Sequence, residues 1–374
     1  MSLIIFITFF IKLSKEINPV RIKSFIQIVL LMFFIGAFIS VFKSNSSENL
    51  NKGLVVLPNY LYWTLLCIIF VNIYKKIDLY SIIPYIISGV IISTIYFYLF
   101  PYLPKIPGFL NPITKNSYSF LVICFMSPCI IYLIKKKRRI SFYIFSIIIL
   151  LILLVNGRRA GFLIVLATLF FSINLKSLNI KYFTITLLLI LISKFILSFT
   201  VTESFLMKSS PRIHQLIYSS STDFLHEDRS LLIRRLMVEK ALIIFESNPF
   251  TGIGLNNFSS HEVDFIGDFE GSYLVINKSD ANSKSAHNSY VSILAEGGLL
   301  LLIPFLIIIF YNIYNFVKYY NHLNQIEKSF YWSFIGMCVH LYFISALLNV
   351  YAWFLIGIVS AISANSKKRF LMNK

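Results

Sequence analysis

Apolar runs long enough to cross a membrane recur along this chain, and no other feature constrains its fold as strongly. A spanning helix needs about 20 mostly apolar residues, within a range of roughly 17–25. Candidate spans cover 24–42, 56–74, 79–100, 118–134, 140–155, 182–200, 288–316, 330–347 and 350–364, with shorter runs at 2–13 and 161–173. They predict an all-α, polytopic integral membrane protein of about 11 transmembrane helices. Composition agrees: 57% of the chain is hydrophobic and 13% charged, whereas a soluble protein carries roughly 25% charged residues. The runs 140–155 and 161–173 are separated only by a few residues around NGRRAG, so they read as a tight helical hairpin. The 2–13 run has its basic residues behind it and shows no small-residue cleavage site, so it reads as a short or tilted membrane helix and not as a signal peptide. All four cysteines (Cys67, Cys124, Cys129 and Cys338) lie within apolar runs and read as buried small hydrophobes.

The net charge of +18 would suit a nucleic-acid binder, but its distribution suits a membrane protein. Alternating the spans puts nineteen lysines and arginines of the short loops on one side and six on the other. Basic residues in short loops prefer the cytoplasm. That bias places the carboxyl terminus in the cytoplasm and the long polar segment 201–287 outside, and it accounts for the charge without nucleic acid. The chain divides accordingly into amino-terminal helices (1–200), a large external loop (201–287) and carboxyl-terminal helices (288–374). The loop segment from Val201 to Ala286 holds eleven of the sixteen acidic residues.

Within the loop, RSLLIRRLMVEKALIIFES (229–247) predicts an amphipathic helix. Asp228 is its expected N-cap and Asn248-Pro249 its stop. Ile233, Leu236, Met237 and Ile244 share an apolar face, with Arg235, Glu239 and Glu246 opposite and Arg234 on the border. Such a helix can lie at a membrane interface. FTGIGLNNF follows, where Gly252 and Gly254 permit a close backbone turn.

Few residues can carry chemistry. His287 precedes an apolar run and, at helical spacing, shares a face with Val291, Leu294 and Gly298. An imidazole there suits a general base near neutral pH, and an interfacial histidine that only hydrogen-bonds is the plain alternative. The remaining histidines show no metal-ligand spacing, so no metal site and no cofactor are expected. Arg158 and Arg159 interrupt apolar sequence on the external side, against the charge bias. Paired arginines at a helix amino end can hold an anion. Arg229, Arg234 and Arg235 offer a second cluster. Glu296 and Lys194 fall inside membrane runs, where a charge is a functional candidate by default; mutual pairing would also explain both.

Arg234, Pro249, Gly252, Gly254 and Phe258, followed by His287, Asn288, Leu294, Glu296 and Gly298, form a pattern that resembles the signature of the O-antigen ligase and O-antigen polymerase superfamily. NGRRAG is similar to that family's arginine-containing turn, with Arg159 on its arginine. The resemblance implies transfer of a glycan from an undecaprenyl-diphosphate carrier to a sugar hydroxyl at the external face of the bacterial inner membrane. It implies His287 as base, and Arg159 and Arg234 as ligands of the diphosphate, with Arg158, Arg235 and Asn288 beside them in the substrate site. The partners it implies are the lipid-linked glycan, membrane lipids and a chain-length regulator. Two readings stay open within the family: a polymerase extending another lipid-linked repeat unit, and a ligase transferring to lipid A core. A lipid-linked oligosaccharide flippase is the reading from another class. It would favour charges spread through the transmembrane core over charges gathered at one face.

Overall fold

The computed structural model describes residues 24–43, 46–73, 79–99, 115–136, 159–172, 229–263, 284–345 and 349–372. The spans expected at 2–13, 140–155 and 182–200 lie outside these residues, as do Arg158, Lys194 and Asp228. Among the described residues the chain is helical, with no strand. In chain order the helices are α1 (Phe25–Phe42), α2 (Ser47–Ile73), α3 (Leu79–Leu99), α4 (Lys115–Lys135), α5 (Arg159–Ser172), α6 (Arg229–Ser247), α7 (Ser289–Tyr319), α8 (Gln325–Phe343) and α9 (Val350–Met372). Three of them (α1, α2, and α7 with its continuation to His322) are long and apolar enough to cross a membrane.

Every expected span within the described residues is a helix, and α6 has the bounds read from its periodicity. α2 differs by starting at Ser47, ahead of its apolar run. Its first turn is polar and held locally: Ser46 Oγ accepts from the Asn49 N–H at 3.2 Å, and Lys52 pairs with Glu48 at 2.7 Å. Hydropathy reports which residues suit lipid, whereas a helix extends for as long as its backbone bonds are made.

α7 is the hub, packing against α1, α6, α8 and α9, while α8 packs against α4 and α5. Phe33 of α1 sits at the centre of the apolar core. Its ring lies 5.8 Å from Tyr60 of α2, 5.9 Å from Phe305 of α7 and 5.2 Å from Trp353 of α9. Ring pairs at such distances add to the area they bury. Toward the carboxyl end of α7, a buried polar ladder joins three helices. Asn312 Nδ2 donates to Ser360 Oγ at 3.1 Å, Ser363 Oγ donates to Asn312 Oδ1 at 2.7 Å, and the Tyr331 and Ser363 hydroxyls bond at 2.7 Å. Where helix faces are all apolar, such bonds choose which helices associate.

Candidate functional site

The site is built at the opposite, amino end of α7. Asn288 is the N-cap of that helix, with φ −152° and ψ 119°. Its side-chain oxygen accepts from the Tyr290 N–H at 2.9 Å and the Val291 N–H at 3.2 Å, which satisfies two of the donors left open at a helix start. The helix start is tied to the end of α8. The Asn288 N–H donates to Ser345 Oγ at 3.2 Å, and Ser289 Oγ donates to the Ile344 carbonyl at 2.7 Å. One turn deeper, Tyr290 Oη donates to the Cys338 carbonyl at 2.9 Å.

His287 stands just before this cap, half-buried, with φ +50°. The expectation that it shares a helical face with Val291, Leu294 and Gly298 is corrected here: it lies outside the helix, so helical spacing does not govern it. Left-handed backbone at a non-glycine residue persists only where its surroundings hold it, and here the Asn288 and Ser289 bonds hold the next two residues.

Arg234 reaches the same place from α6. Its guanidinium carbon lies 5.8 Å from the centre of the Phe343 ring, at the end of α8. Arg235 is the next residue of the same helix. Arg159 begins α5, which runs antiparallel to α8. Phe171 stacks on Trp332 at 4.8 Å, and Gly336 approaches Thr168 and Ile164. As α8 rises toward Phe343, α5 descends in number toward Arg159, so that register brings the amino end of α5 toward the end of α8. Arg234, His287 and the first residue of α5 thus belong to one end of the bundle, around Phe343–Ser345.

Below this rim α7 is broken. Gly298 has φ +58° and ψ −157°, a conformation that glycine alone adopts freely. In an unbroken helix the Leu299 and Leu300 N–H groups would donate to the Ala295 and Glu296 carbonyls. Here they donate to the Pro249 carbonyl at 2.9 Å and the Phe250 carbonyl at 3.0 Å. The freed carbonyls accept from the loop instead, Ala295 from the Ile253 N–H and Glu296 from the Gly254 N–H, both at 3.0 Å. The loop after α6 therefore satisfies four of the backbone groups that the break exposes. Gly252, at φ +64°, lies against the Ala295–Glu296 backbone, where a Cβ would collide. Pro249, Gly252, Gly254 and Gly298 are thus the parts of a backbone joint between α6 and α7.

A family model described as O-antigen ligase matches residues 144–306. The match supports a relation to the O-antigen ligase and polymerase superfamily. That relation supports glycosyl-transferring activity of the ligase/polymerase type, and with the long apolar helices it supports a multi-pass membrane protein. No curated protein matches the chain. The matched segment contains Arg159, α6, the joint, His287 and the broken start of α7.

One member of this region, Lys240, escaped the sequence reading, and a second, Glu296, has partners that the sequence did not show. Glu296 accepts the Phe258 N–H on its carboxylate at 3.2 Å, while Lys194, its alternative partner, lies outside the described residues. Lys240 is buried on the face of α6 that also carries Leu236, Met237 and Ile244, and its Nζ lies 4.9 Å from the centre of the Phe258 ring. The signal was present in the spacing: Lys240 falls at i+4 from Leu236 and i−4 from Ile244, a charge within an apolar stripe. Burial lowers the Lys240 ammonium to about 8, a shift opposed by the charge of Glu262. Burial, and then the Lys240 charge, push the neighbouring His261 below its ordinary value. Among the described residues no three His, Cys, Asp or Glu side chains gather as metal ligands.

Proposed function

We propose that the protein is a polymerase of surface polysaccharide, joining undecaprenyl-diphosphate-linked oligosaccharide repeat units at the periplasmic face of the inner membrane. One observation carries this reading. His287 is held in left-handed backbone at the end of the bundle where Arg234 rests on Phe343 and α5 begins at Arg159.

In the proposed reaction the acceptor sugar hydroxyl attacks the anomeric carbon of the donor glycan. The new C–O bond forms as the bond from that carbon to the phosphate oxygen breaks, and undecaprenyl diphosphate leaves. His287 takes the hydroxyl proton or orients the hydroxyl. Arg159 and Arg234 hold the diphosphate, whose negative charge grows as it departs. Guanidinium groups fixed in advance stabilise that charge most strongly where water is excluded, and their planar fork matches phosphate oxygens. Arg158, Arg235 and Asn288 complete the substrate site, Asn288 by holding the start of α7 so that His287 keeps its place. The donor is already activated, so the step needs no nucleotide, and we assign it no metal ion. A chain-length regulator is a proposed partner of the same face.

A ligase that transfers the glycan to lipid A core is the second reading, favoured by the description of the matching family model. Gel analysis of surface polysaccharide from a deletion strain separates the two. Loss of a polymerase leaves core capped by single repeat units, the expected result. Loss of a ligase leaves uncapped core with lipid-linked polymer accumulating. A reporter active only outside the cytoplasm tests the orientation: it should be on when fused after Ser259 and off after Lys137.

A further inference from the structure

We propose that Glu296 is a positioning residue that sets how α6 presents Arg234 to the site; its bearing on catalysis rests on the functional reading above. Three segments meet on this one residue. Its main-chain carbonyl accepts from the Gly254 N–H at 3.0 Å and from Ser40 Oγ of α1 at 2.6 Å. Its carboxylate accepts the Phe258 N–H at 3.2 Å, and the Asn256 N–H also faces it. The chain between those donors folds back sharply, with Gly254 at φ +99° and Asn256 at φ +60°, and ends in a 3-10 turn at Phe258–Ser260. Backbone N–H groups that converge in this way make a concave seat for an anion, and the Glu296 carboxylate fills it. The Phe258 ring fixed by this contact is the one on which Lys240 of α6 rests.

The chain of contacts runs from Glu296 to Phe258, from Phe258 to Lys240, and through α6 to Arg234. Lys240 and Arg234 are six residues apart, which at about 100° per residue places them roughly 120° apart around the helix. Anchoring the Lys240 face therefore sets the roll of α6, and with it the direction in which Arg234 leaves the helix toward Phe343. The backbone exchange at Gly298 attaches α6 to the bundle, and Glu296 sets its rotation.

The test uses the full-length protein in nanodiscs. Spin labels go at Val238 of α6 and Tyr342 of α8, both exposed, in a Cys338→Ser background. Glu296→Ala should shift or broaden the label-to-label distance distribution and lower glycan transfer by about 10²-fold, the usual cost of misplacing a binding group by an ångström. Glu296→Gln, which keeps an acceptor oxygen, should retain the native distribution and most of the transfer. Glu296→Asp, which withdraws the carboxylate by one methylene, should shift the distribution and so decides the matter if the alanine variant does not accumulate. An unchanged distribution in Glu296→Ala overturns the proposal. So does Glu296→Gln with a native distribution and no transfer, because the carboxylate would then act in the chemistry itself. If the distribution moves as expected but the unmutated protein transfers no lipid-linked glycan, the functional reading falls and the positioning role stands.

Discussion

The two ends of α7 are held in opposite ways. At its carboxyl end the helix is intact, and it is joined to α8 and α9 by side chains: Asn312, Tyr331, Ser360 and Ser363. At its amino end the helix is broken at Gly298, and the attachment to the loop after α6 is made by four main-chain bonds with the Glu296 carboxylate beside them. The difference concerns what each attachment secures. Side-chain bonds between complete helices contribute stability and can be trimmed one at a time. A backbone exchange is nearly all-or-none, because each main-chain group released into an apolar setting costs several kcal/mol. The site stands at the end where geometry is secured this rigidly.

The largest expected effect is at that end. His287→Ala should slow glycan transfer by roughly 10²–10⁴-fold, the usual worth of general acid–base help, while the protein still inserts and accumulates. Full polymer in cells at matched protein level would leave His287 as a plain interfacial histidine. Gly298→Val comes next. The new side chain meets the Phe250 carbonyl in a left-handed backbone, so the joint should open and transfer should drop by about 10²-fold. Limited proteolysis should then cut at 249–263, and resistance there would show that the joint tolerates strain.

Arg234→Lys is a smaller change. A point charge replaces a planar fork, and about 1.5 kcal/mol of charge-assisted hydrogen bonding is lost. Donor KM should rise roughly tenfold; an unaltered KM would remove Arg234 from the diphosphate. Asn312→Ala, at the other end, should reduce stability by about 0.6–1.7 kcal/mol. Thermal unfolding in detergent should report that loss, with transfer per folded molecule unchanged. A loss of transfer there would erase the contrast between the two ends.

The smallest effect is a pH dependence. The folded protein holds Lys240 at about 8, below its ordinary 10.5, so folding disfavours the charged form. Below pH 8 the lysine is protonated in both states and its burial costs stability. Between pH 8 and 10.5 the unfolded chain binds more protons, and stability rises with pH. Lys240→Met should lack that part of the rise in Tm. An identical pH profile in the variant would mean the Lys240 ammonium is solvated in the folded protein.

Much of the architecture is legible in the residues because membrane helices follow from length and hydropathy, which are local. The bounds of α6 follow from its periodicity and from Asn248-Pro249, and the two glycines of FTGIG correctly signal a close turn. What could not be read is whatever depends on which segments meet. Hydropathy treats 288–316 as one run, since a broken helix exposes backbone groups and not polar side chains. Asn288, expected to touch substrate, has its side-chain oxygen engaged in the helix cap. The face assigned to His287 assumed helical backbone two residues too early.

By itself, then, the sequence determined the helical membrane class, the amphipathic helix and the residues of the family signature, because each is written in spacing and composition within one stretch of chain. Only the tertiary structure decided what those signature residues do. It gave Gly298 and the Pro249–Gly254 loop to one exchange of backbone bonds, seated Phe258 on the Glu296 carboxylate, and brought Arg234 to the end of α8 beside the start of α7. Backbone bonds between segments 42 to 50 residues apart leave no periodicity to read, since any residue carries the N–H and the carbonyl that make them.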